Sequence, residues 1–220
     1  MKVHKEGTGL LLILFTLLFI VNVTVFHTAG KSLCFPIVLI VSMALYLVIL
    51  NFFRSPYRRF PFDSEGLVIA PADGTIVAIE EVMENEILHR KCLQISVFMS
   101  VFNVHANWFP VNGTVEHVSH QDGRFMAAYL PKSSVENERS AVVIRTRGGE
   151  DVLARQIAGA MARRIVTYAK AGDRCRVDDQ MGFIKFGSRV DVYLPTSVEV
   201  LVEMDQKVTG NQTPLARLSR

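Results

Sequence analysis

The sequence predicts a mainly β domain, a sandwich or barrel of short strands with few helices, preceded by an N-terminal transmembrane helical hairpin. Two observations support this prediction. Residues 9–26 and 32–53 form two uncharged, strongly apolar runs near the start of the 220-residue chain. After about residue 59 the pattern changes to short β-branched runs separated by glycine and proline turns, which is typical of an all-β domain.

The apolar runs predict a membrane anchor over residues 1–59, with helices at about 9–28 and 33–53. Each run is long enough to cross the roughly 30 Å hydrocarbon layer as a helix, and a second span follows the first too closely for a cleaved signal peptide. By the positive-inside rule both termini are cytoplasmic, so residues 60–220 are predicted to lie on the cytoplasmic side of the cell's inner membrane. The basic residues that flank the outer ends of the hairpin are Lys2, Lys5, Arg54, Arg58 and Arg59.

Glycine and proline turns at residues 71–74, 110–113 and 148–149 separate the predicted strands of the C-terminal domain. Residues 154–169 have a composition that also suits a helix, with a strand over 163–169 as the alternative. Glycine turns around short β runs resemble the strand pattern of lipoyl-type and hybrid-barrel modules. The domain is therefore expected to be a compact barrel or sandwich of short strands.

Composition and spacing argue against several classes of function. The net charge of +3 is mild, and basic residues beside the apolar runs suit an anionic lipid surface better than a nucleic-acid groove. Cys34, Cys92 and Cys175 show no paired spacing, so we expect packing residues rather than a zinc or redox site. His117 and His120 would point to opposite faces of a strand, and no metal site is predicted there.

A break interrupts the apolar strand pattern MGFIKFGSRVDVYLP at residues 181–195, where Gly187 and Ser188 stand. One interpretation is a β-bulge, in which glycine supplies an unusual backbone conformation and serine bonds locally. The other is chemical, because a serine hydroxyl can attack the preceding glycine carbonyl when no side chain obstructs its approach. The ester formed would eliminate to a dehydroalanine, which hydrolyses to a pyruvoyl group and ammonia. The dipeptide alone leaves both interpretations open.

The chain also resembles a known family through separate motifs in the family's order. They are PADG at 71–74, NVHANWFPVNG at 103–113, GRFMAAYL at 123–130, ENER at 136–139 and RQIAGAMARRIVTYAKAGDRCRVDDQMGFIKFGSRVDVYLP at 155–195. Together they resemble the phosphatidylserine decarboxylases of the short, membrane-anchored type, over nearly all of residues 60–200. Several motifs in order are far more specific than one Gly-Ser dipeptide.

The resemblance implies that the precursor cleaves itself between Gly187 and Ser188, into a β chain of residues 1–187 and an α chain of residues 188–220. Ser188 would become a covalent pyruvoyl group, the cofactor that decarboxylates phosphatidylserine to phosphatidylethanolamine. It would replace pyridoxal phosphate as the electron sink. The implied partners are phosphatidylserine in the membrane and the two associated chains; a homodimer is compatible, and no nucleic acid is expected.

The resemblance further implies candidate catalytic residues besides Ser188. Asp73 and His105 match the positions that provide a histidine oriented by a carboxylate, which can remove a proton from a serine hydroxyl. Taken alone, Asp73 suits a turn residue and His105 a half-buried strand histidine. Longer members carry two histidines spaced H-x-x-H, whereas Trp108 stands at the second position here. His105 is therefore the candidate for self-cleavage, for protonation during decarboxylation, or for both in turn.

Other functions remain alternatives at this point. A non-catalytic, membrane-tethered β-barrel carrier or scaffold would leave the chain intact at Ser188. A hydrolase triad of the same three residues would lack the usual G-x-S-x-G turn, and a decarboxylase of a related serine lipid would fit equally well. Near His105, the apolar Phe102, Trp108 and Phe109 suit either a core or a surface that faces lipid.

Overall fold

The computed structural model describes residues 2–30, 32–123, 137–159, 164–185 and 188–219. The chain divides into two compact units, Met1–Tyr57 and Arg58–Arg220. Gly187 and nearly all of the GRFMAAYL motif lie outside the described residues.

Two apolar helices and a short strand pair make up the first unit. α1 spans Lys5–Ala29 and α2 spans Cys34–Phe52, and each is long and apolar enough to cross a membrane. β1 (Lys2–Val3) precedes the first helix and pairs antiparallel with β2 (Arg54–Ser55), which follows the second. The length and composition of the helices indicate membrane association, as the sequence predicts.

The second unit is built of strands in the part of the chain that the structure describes, which confirms the predicted mainly β fold. The strands are β3 (Leu67–Ile69), β4 (Gly74–Glu84), β5 (Arg90–Met99), β6 (Ala106–Trp108), β7 (Gly113–Gln121), β8 (Arg139–Arg145), β9 (Asp151–Ala158), β10 (Arg164–Thr167), β11 (Arg174–Cys175), β12 (Gln180–Lys185), β13 (Ser188–Leu194), β14 (Glu199–Val200), β15 (Lys207–Val208) and β16 (Pro214–Arg217).

These strands form one large and two small antiparallel sheets within the described ranges. The large sheet has the order β11-β7-β8-β9-β13-β5-β4-β15, and the small sheets have the orders β10-β12-β6 and β14-β16-β3. One cluster of buried apolar side chains draws members from all three sheets, including Val97, Val190, Met181, Ile184 and Leu215. The hydrophobic core therefore lies between the large sheet and the two small ones.

The helical expectation for residues 154–169 is wrong wherever the structure describes them. Residues 154–158 form the end of β9, and residues 164–167 form β10, of which the second agrees with the strand alternative for residues 163–169. β9 is hydrogen-bonded to β8 on one side and to β13 on the other. Pairing on both edges overrides the modest helix propensity of the segment. Residues 160–163 lie outside the described residues.

Candidate active site

Ser188 is the first residue of β13 and is fully buried within the large sheet. It pairs with Met99, the last residue of β5, and with Ala158, the last residue of β9. β12, which ends at Lys185, belongs to one of the small sheets. The apolar run at residues 181–195 is therefore two strands in different sheets, and Ser188 begins the second.

The hydroxyl of Ser188 has a weak hydrogen-bond acceptor. It donates to the thioether sulfur of Met99 at 3.1 Å. The side-chain amide of Asn107, in β6, donates to the same sulfur at 3.6 Å. Because a thioether is a poor acceptor, two buried donors share a partner that satisfies neither of them well. Both donors can therefore gain by exchanging this bond for one to an oxygen.

Buried polar side chains fix the orientation of the Asn107 amide. Gln156 Nε2 donates to Asn107 Oδ1 at 2.8 Å, and Thr167 Oγ1 lies 3.1 Å from Gln156 Oε1. Gly182 leaves room for Gln156, because a Cβ at this position would lie 2.7 Å from Gln156 Nε2. Since its oxygen accepts from Gln156, Asn107 presents its NH2 group to Met99, the partner of Ser188.

His105 is fully buried directly before β6. Its carbonyl accepts a hydrogen bond from the backbone N–H of Ile184 at 3.2 Å, which ties it to β12 shortly before Ser188 in the chain. Its ring Nδ1 lies 3.0 Å from the Asn103 carbonyl. A carbonyl can only accept, so a neutral ring carries its proton on Nδ1 and its lone pair on Nε2. Nε2 is therefore the atom that can take up a proton.

Asp73 lies in the turn before β4, and its carboxylate binds Arg58. Arg58 Nη2 is 2.9 Å from Asp73 Oδ2, Arg58 Nη1 bonds Oδ1, and the Gly210 N–H donates to Oδ1 at 2.8 Å. The guanidinium carbon of Arg58 lies 5.0 Å from the centre of the Trp108 ring. The described contacts of Asp73 thus lead to Trp108, at the second position of the family's H-x-x-H pattern, rather than to His105.

The ENER motif, to which no chemistry is assigned from the sequence, borders Ser188 through a neighbouring strand. Asn137 is fully buried, and its Nδ2 donates to the Ala158 carbonyl at 2.7 Å. The carbonyl of Glu138 accepts from the Ala158 N–H at 2.9 Å. Because Ala158 pairs with Ser188, these two residues hold the strand beside the candidate nucleophile. Glu136 lies outside the described residues.

The remaining candidates have structural or peripheral places. Trp108 and Phe109 are core residues with 2% and 6% exposure, whereas Phe102 is 70% exposed. His117 and His120 are both exposed on β7, and His120 Nε2 lies 3.4 Å from Glu138 Oε1. Among the residues that the structure describes, no group of three or more His, Cys, Asp or Glu side chains is placed to hold a metal ion.

A cavity of about 830 Å³ lies on the opposite face of the large sheet from Ser188, and Arg155, Arg189 and Glu84 are among its lining residues. Both arginines of the lining form ion pairs, with Arg155 Nη2 2.7 Å from Glu84 Oε1 and Arg189 Nε 2.8 Å from Asp191 Oδ1. Burial alone would raise the pKa of Glu84, but three backbone N–H groups and Arg155 together hold that pKa below its usual value. These ion pairs have a structural role at the cavity, which is separate from the serine site.

Known proteins match the chain over its whole length. A sequence model of the phosphatidylserine decarboxylase family matches residues 45–216. A phosphatidylserine decarboxylase proenzyme of Parabacteroides distasonis is 82% identical over 100% of both chains. Proteins of the same name from Porphyromonas gingivalis and Bacteroides thetaiotaomicron are 62% and 56% identical, over 99% of this chain in each case and over 99% and 95% of the relatives. The similarity thus includes the apolar helices as well as the β unit.

Proposed function

The chain belongs to the phosphatidylserine decarboxylase family, and we propose that it converts phosphatidylserine to phosphatidylethanolamine and carbon dioxide with a pyruvoyl group made from Ser188. The observation that carries the proposal is the place of this serine. It is fully buried, it begins a strand directly after Gly187, and its hydroxyl bonds a thioether. A buried hydroxyl costs free energy unless it is well bonded, so alanine would serve a purely structural purpose better.

Self-cleavage needs atoms of Gly187 and Ser188 and one molecule of water. The Ser188 hydroxyl attacks the Gly187 carbonyl carbon, the peptide C–N bond breaks, and an ester joins the two residues. Elimination releases the Gly187 carboxylate and leaves dehydroalanine at position 188. Its imine tautomer takes up water and loses ammonia, which gives the pyruvoyl group without any oxidant or reductant.

His105 is the base in this step. The hydrogen bond from its Nδ1 to the Asn103 carbonyl keeps the lone pair on Nε2, which accepts the proton of the Ser188 hydroxyl. Nε2 then returns a proton to the departing amine of residue 188. In turnover the same ring supplies the proton that replaces the lost carboxyl group. One buried histidine therefore serves both stages.

Asp73 acts at a distance from His105, as a positioning residue. Its carboxylate fixes Arg58, which lies over Trp108, the last residue of β6. β6 follows His105 directly and carries Asn107. The ion pair of Asp73 therefore holds the strand that carries Asn107, whose amide donates to the same Met99 sulfur as the Ser188 hydroxyl.

The surroundings of Ser188 fit a pyruvoyl group. Conversion turns Cβ of residue 188 into a methyl group, so the hydroxyl that donates to the Met99 sulfur is lost, and it puts a ketone oxygen on Cα in place of the backbone nitrogen. This oxygen is an acceptor to which the Asn107 NH2 group would donate instead of the Met99 sulfur. Met99, Asn107 and His105 are the side chains that would hold it. Bound there, the group supplies an electron sink for the charge left by departing carbon dioxide, as pyridoxal phosphate does in other enzymes.

The strand pairing explains how the two chains would stay together after cleavage. β13 is the first strand of the 188–220 chain, and it pairs with β5 over residues 188–194 and with β9 over residues 188–193. Both flanking strands belong to the 1–187 chain. A buried strand with hydrogen bonds on both edges cannot leave without exposing unpaired backbone groups. Native conditions should therefore keep the cleaved enzyme whole.

The substrate is a lipid of the bilayer, which fits a chain with two apolar helices long enough to span a membrane. The basic residues at the outer ends of the hairpin favour a catalytic unit on the cytoplasmic side of the inner membrane. A related serine lipid is the second candidate substrate, because the chemistry acts on the serine headgroup.

An intact-mass spectrum of the denatured protein, wild type against Ser188→Ala, is the experiment that tests this function. Wild type should give two fragments that divide between residues 187 and 188, and the short one should lack a free amine at its first residue. Ser188→Ala should stay a single inactive chain. An uncleaved wild-type chain that still decarboxylates phosphatidylserine would overturn the pyruvoyl mechanism, and a cleaved chain that decarboxylates only another serine lipid would overturn the substrate.

A further inference from the structure

The connection from β5 to β6 holds two apolar side chains out in solvent. In this connection, the 100–103 turn, Asn103 Oδ1 accepts hydrogen bonds from the backbone N–H of Ser100 at 2.9 Å and from its hydroxyl at 2.7 Å. The Asn103 N–H returns a bond to the Ser100 carbonyl at 3.0 Å. The turn is thus closed by three hydrogen bonds, and Val101 and Phe102 at its tip are 41% and 70% exposed.

The 100–103 turn is directly joined to the serine site at both ends. Met99, the residue before it, accepts the hydroxyl hydrogen bond of Ser188. The carbonyl of Asn103, its last residue, lies 3.0 Å from His105 Nδ1. Met99 therefore connects the exposed apolar tip to Ser188, and Asn103 connects it to His105, the proposed base.

Phosphatidylserine has to present its headgroup to a buried serine while its acyl chains remain in an apolar phase. An exposed phenylalanine ring on a turn closed by hydrogen bonds suits the membrane interface, where aromatic side chains insert, and Val101 adds apolar surface beside it. We propose that the 100–103 turn inserts Val101 and Phe102 into the bilayer interface, and that the lipid headgroup passes along this turn to Ser188. The inference rests on the proposed function for its substrate, and on the turn itself for its geometry.

Insertion can be tested without turnover. The chain has a single tryptophan, Trp108, which is 2% exposed, so Phe102→Trp adds one exposed reporter. In the full chain reconstituted into phosphatidylcholine vesicles, phospholipids brominated near the glycerol should quench the added emission. Met83→Trp is the matched control, because Met83 is 60% exposed and pairs with Lys91, about 26 Å along β5 from Met99 at about 3.3 Å per residue. Equal quenching of both reporters, or none at position 102, would overturn insertion.

Lipid delivery is tested with Phe102→Asp in the same vesicles. Decarboxylation of long-chain phosphatidylserine in the bilayer should fall by about tenfold or more, the scale of losing a buried phenylalanine side chain. Dihexanoyl phosphatidylserine dissolved in water should react within about twofold of wild type, because it needs no access from the bilayer. Met83→Asp should leave both rates unchanged.

The outcomes separate the two proposals. If Phe102→Asp slows both substrates equally, the turn serves the site structurally and the delivery proposal fails. If it slows neither, insertion has no role in delivery and the proposal fails as well. If wild type is uncleaved by mass yet position 102 is quenched by brominated lipid, the proposed function fails while insertion stands.

Discussion

The Asn107 amide accepts a hydrogen bond from Gln156 and donates one to the Met99 sulfur, which also accepts from the Ser188 hydroxyl. Asn107→Ala should lower the free energy of unfolding by about 1–3 kcal/mol, because Gln156 Nε2 loses its acceptor in a buried site. It should also slow conversion of Ser188 to the pyruvoyl group, because it removes the NH2 group that would donate to the ketone oxygen formed at residue 188. Urea unfolding of the full chain in detergent, followed by fluorescence of Trp108, measures the first effect, and a time course of intact mass measures the second.

Asn112→Ala is the matched control for this prediction. Asn112 also bonds on both ends of its amide, to the Ser64 hydroxyl at 2.8 Å and to the Val177 N–H at 2.9 Å, but neither partner contacts Ser188. It should lose stability and keep the wild-type rate of conversion. Wild-type conversion in Asn107→Ala would contradict the role given to Asn107.

Arg58 holds Asp73 in a setting where both side chains are largely shielded, at 15% and 13% side-chain exposure. Arg58→Gln leaves the carboxylate with the Gly210 N–H as its remaining described partner, and should cost about 1.5–3 kcal/mol of stability, the usual scale of a hydrogen bond to a charged group. Thermal unfolding followed by Trp108 fluorescence is a direct measurement, because Trp108 lies against Arg58. Arg59→Gln, at an exposed neighbour, should cost less than about 0.5 kcal/mol. Equal losses in both variants would contradict the shielded pair.

The sequence identified Ser188, His105 and Asp73 as candidates, and their burial and partners became visible only in the fold. Asp73 and His105 occur in separate motifs, and only the fold shows that the Asp73 carboxylate binds Arg58. Asn107 and Gln156 are single polar residues in strand-like runs, where a pattern of apolar alternation carries no information about hydrogen-bond partners. An uncharged amide side chain within a strand-like apolar run is the signal that the sequence offers, because a buried amide needs hydrogen-bond partners.

At the scale of elements, the end of β4 is stabilised by one carboxylate. Glu84, its last residue, accepts hydrogen bonds from the N–H groups of Glu86, Ile87 and Leu88 and from the guanidinium of Arg155. These bonds hold the pKa of Glu84 below the usual value of 4.5 in spite of burial. A carboxyl group with a depressed folded pKa contributes stability above its unfolded pKa and loses it as the pH falls through the folded pKa.

Glu84→Gln should therefore cost about 2–3 kcal/mol near neutral pH, because it leaves the buried Arg155 without this carboxylate. The difference from wild type should begin to shrink as the pH falls below about 4.5, where Glu84 of the unfolded chain takes up a proton, and should vanish only below the lower pKa of the folded chain. Urea unfolding at several pH values measures both. Glu81→Gln on the same strand is the control, because Glu81 is 49% exposed and pairs with Lys91 at the surface. A cost at Glu84 that does not change with pH would contradict the assignment.

The elements were predictable where local chemistry decides them. Residues 71–74 and 148–149 lie between strands, as the sequence predicts, because glycine and proline favour turns through their own backbone conformation. Residues 154–158 were ambiguous, because their strand state depends on β8 and β13, which are distant in sequence. The division of residues 181–195 into two sheets depends likewise on partners that a single strand pattern does not contain.

At the scale of the whole molecule, the three cysteines report on different regions. Cys92 and Cys175 are buried in the β unit, where burial raises the pKa of both thiols, that of Cys175 to about 12. Their thiolate populations near neutral pH are therefore small, and a thiol reagent should reach neither in the folded protein. Cys34 is exposed at the start of α2, next to the short connection between the two helices. Cys34 is therefore the thiol whose labelling can show on which side of the membrane the connection between the two helices lies.

If both termini are cytoplasmic, the connection between α1 and α2 lies on the outer side of the membrane. A membrane-impermeant maleimide should then label Cys34 in right-side-out vesicles and leave it unlabelled in inverted ones. Cys34→Ser should remove the signal, since the buried thiols of Cys92 and Cys175 should react only after urea unfolding. Labelling restricted to inverted vesicles would reverse the orientation. It would put the β unit, and with it Ser188, on the outer face.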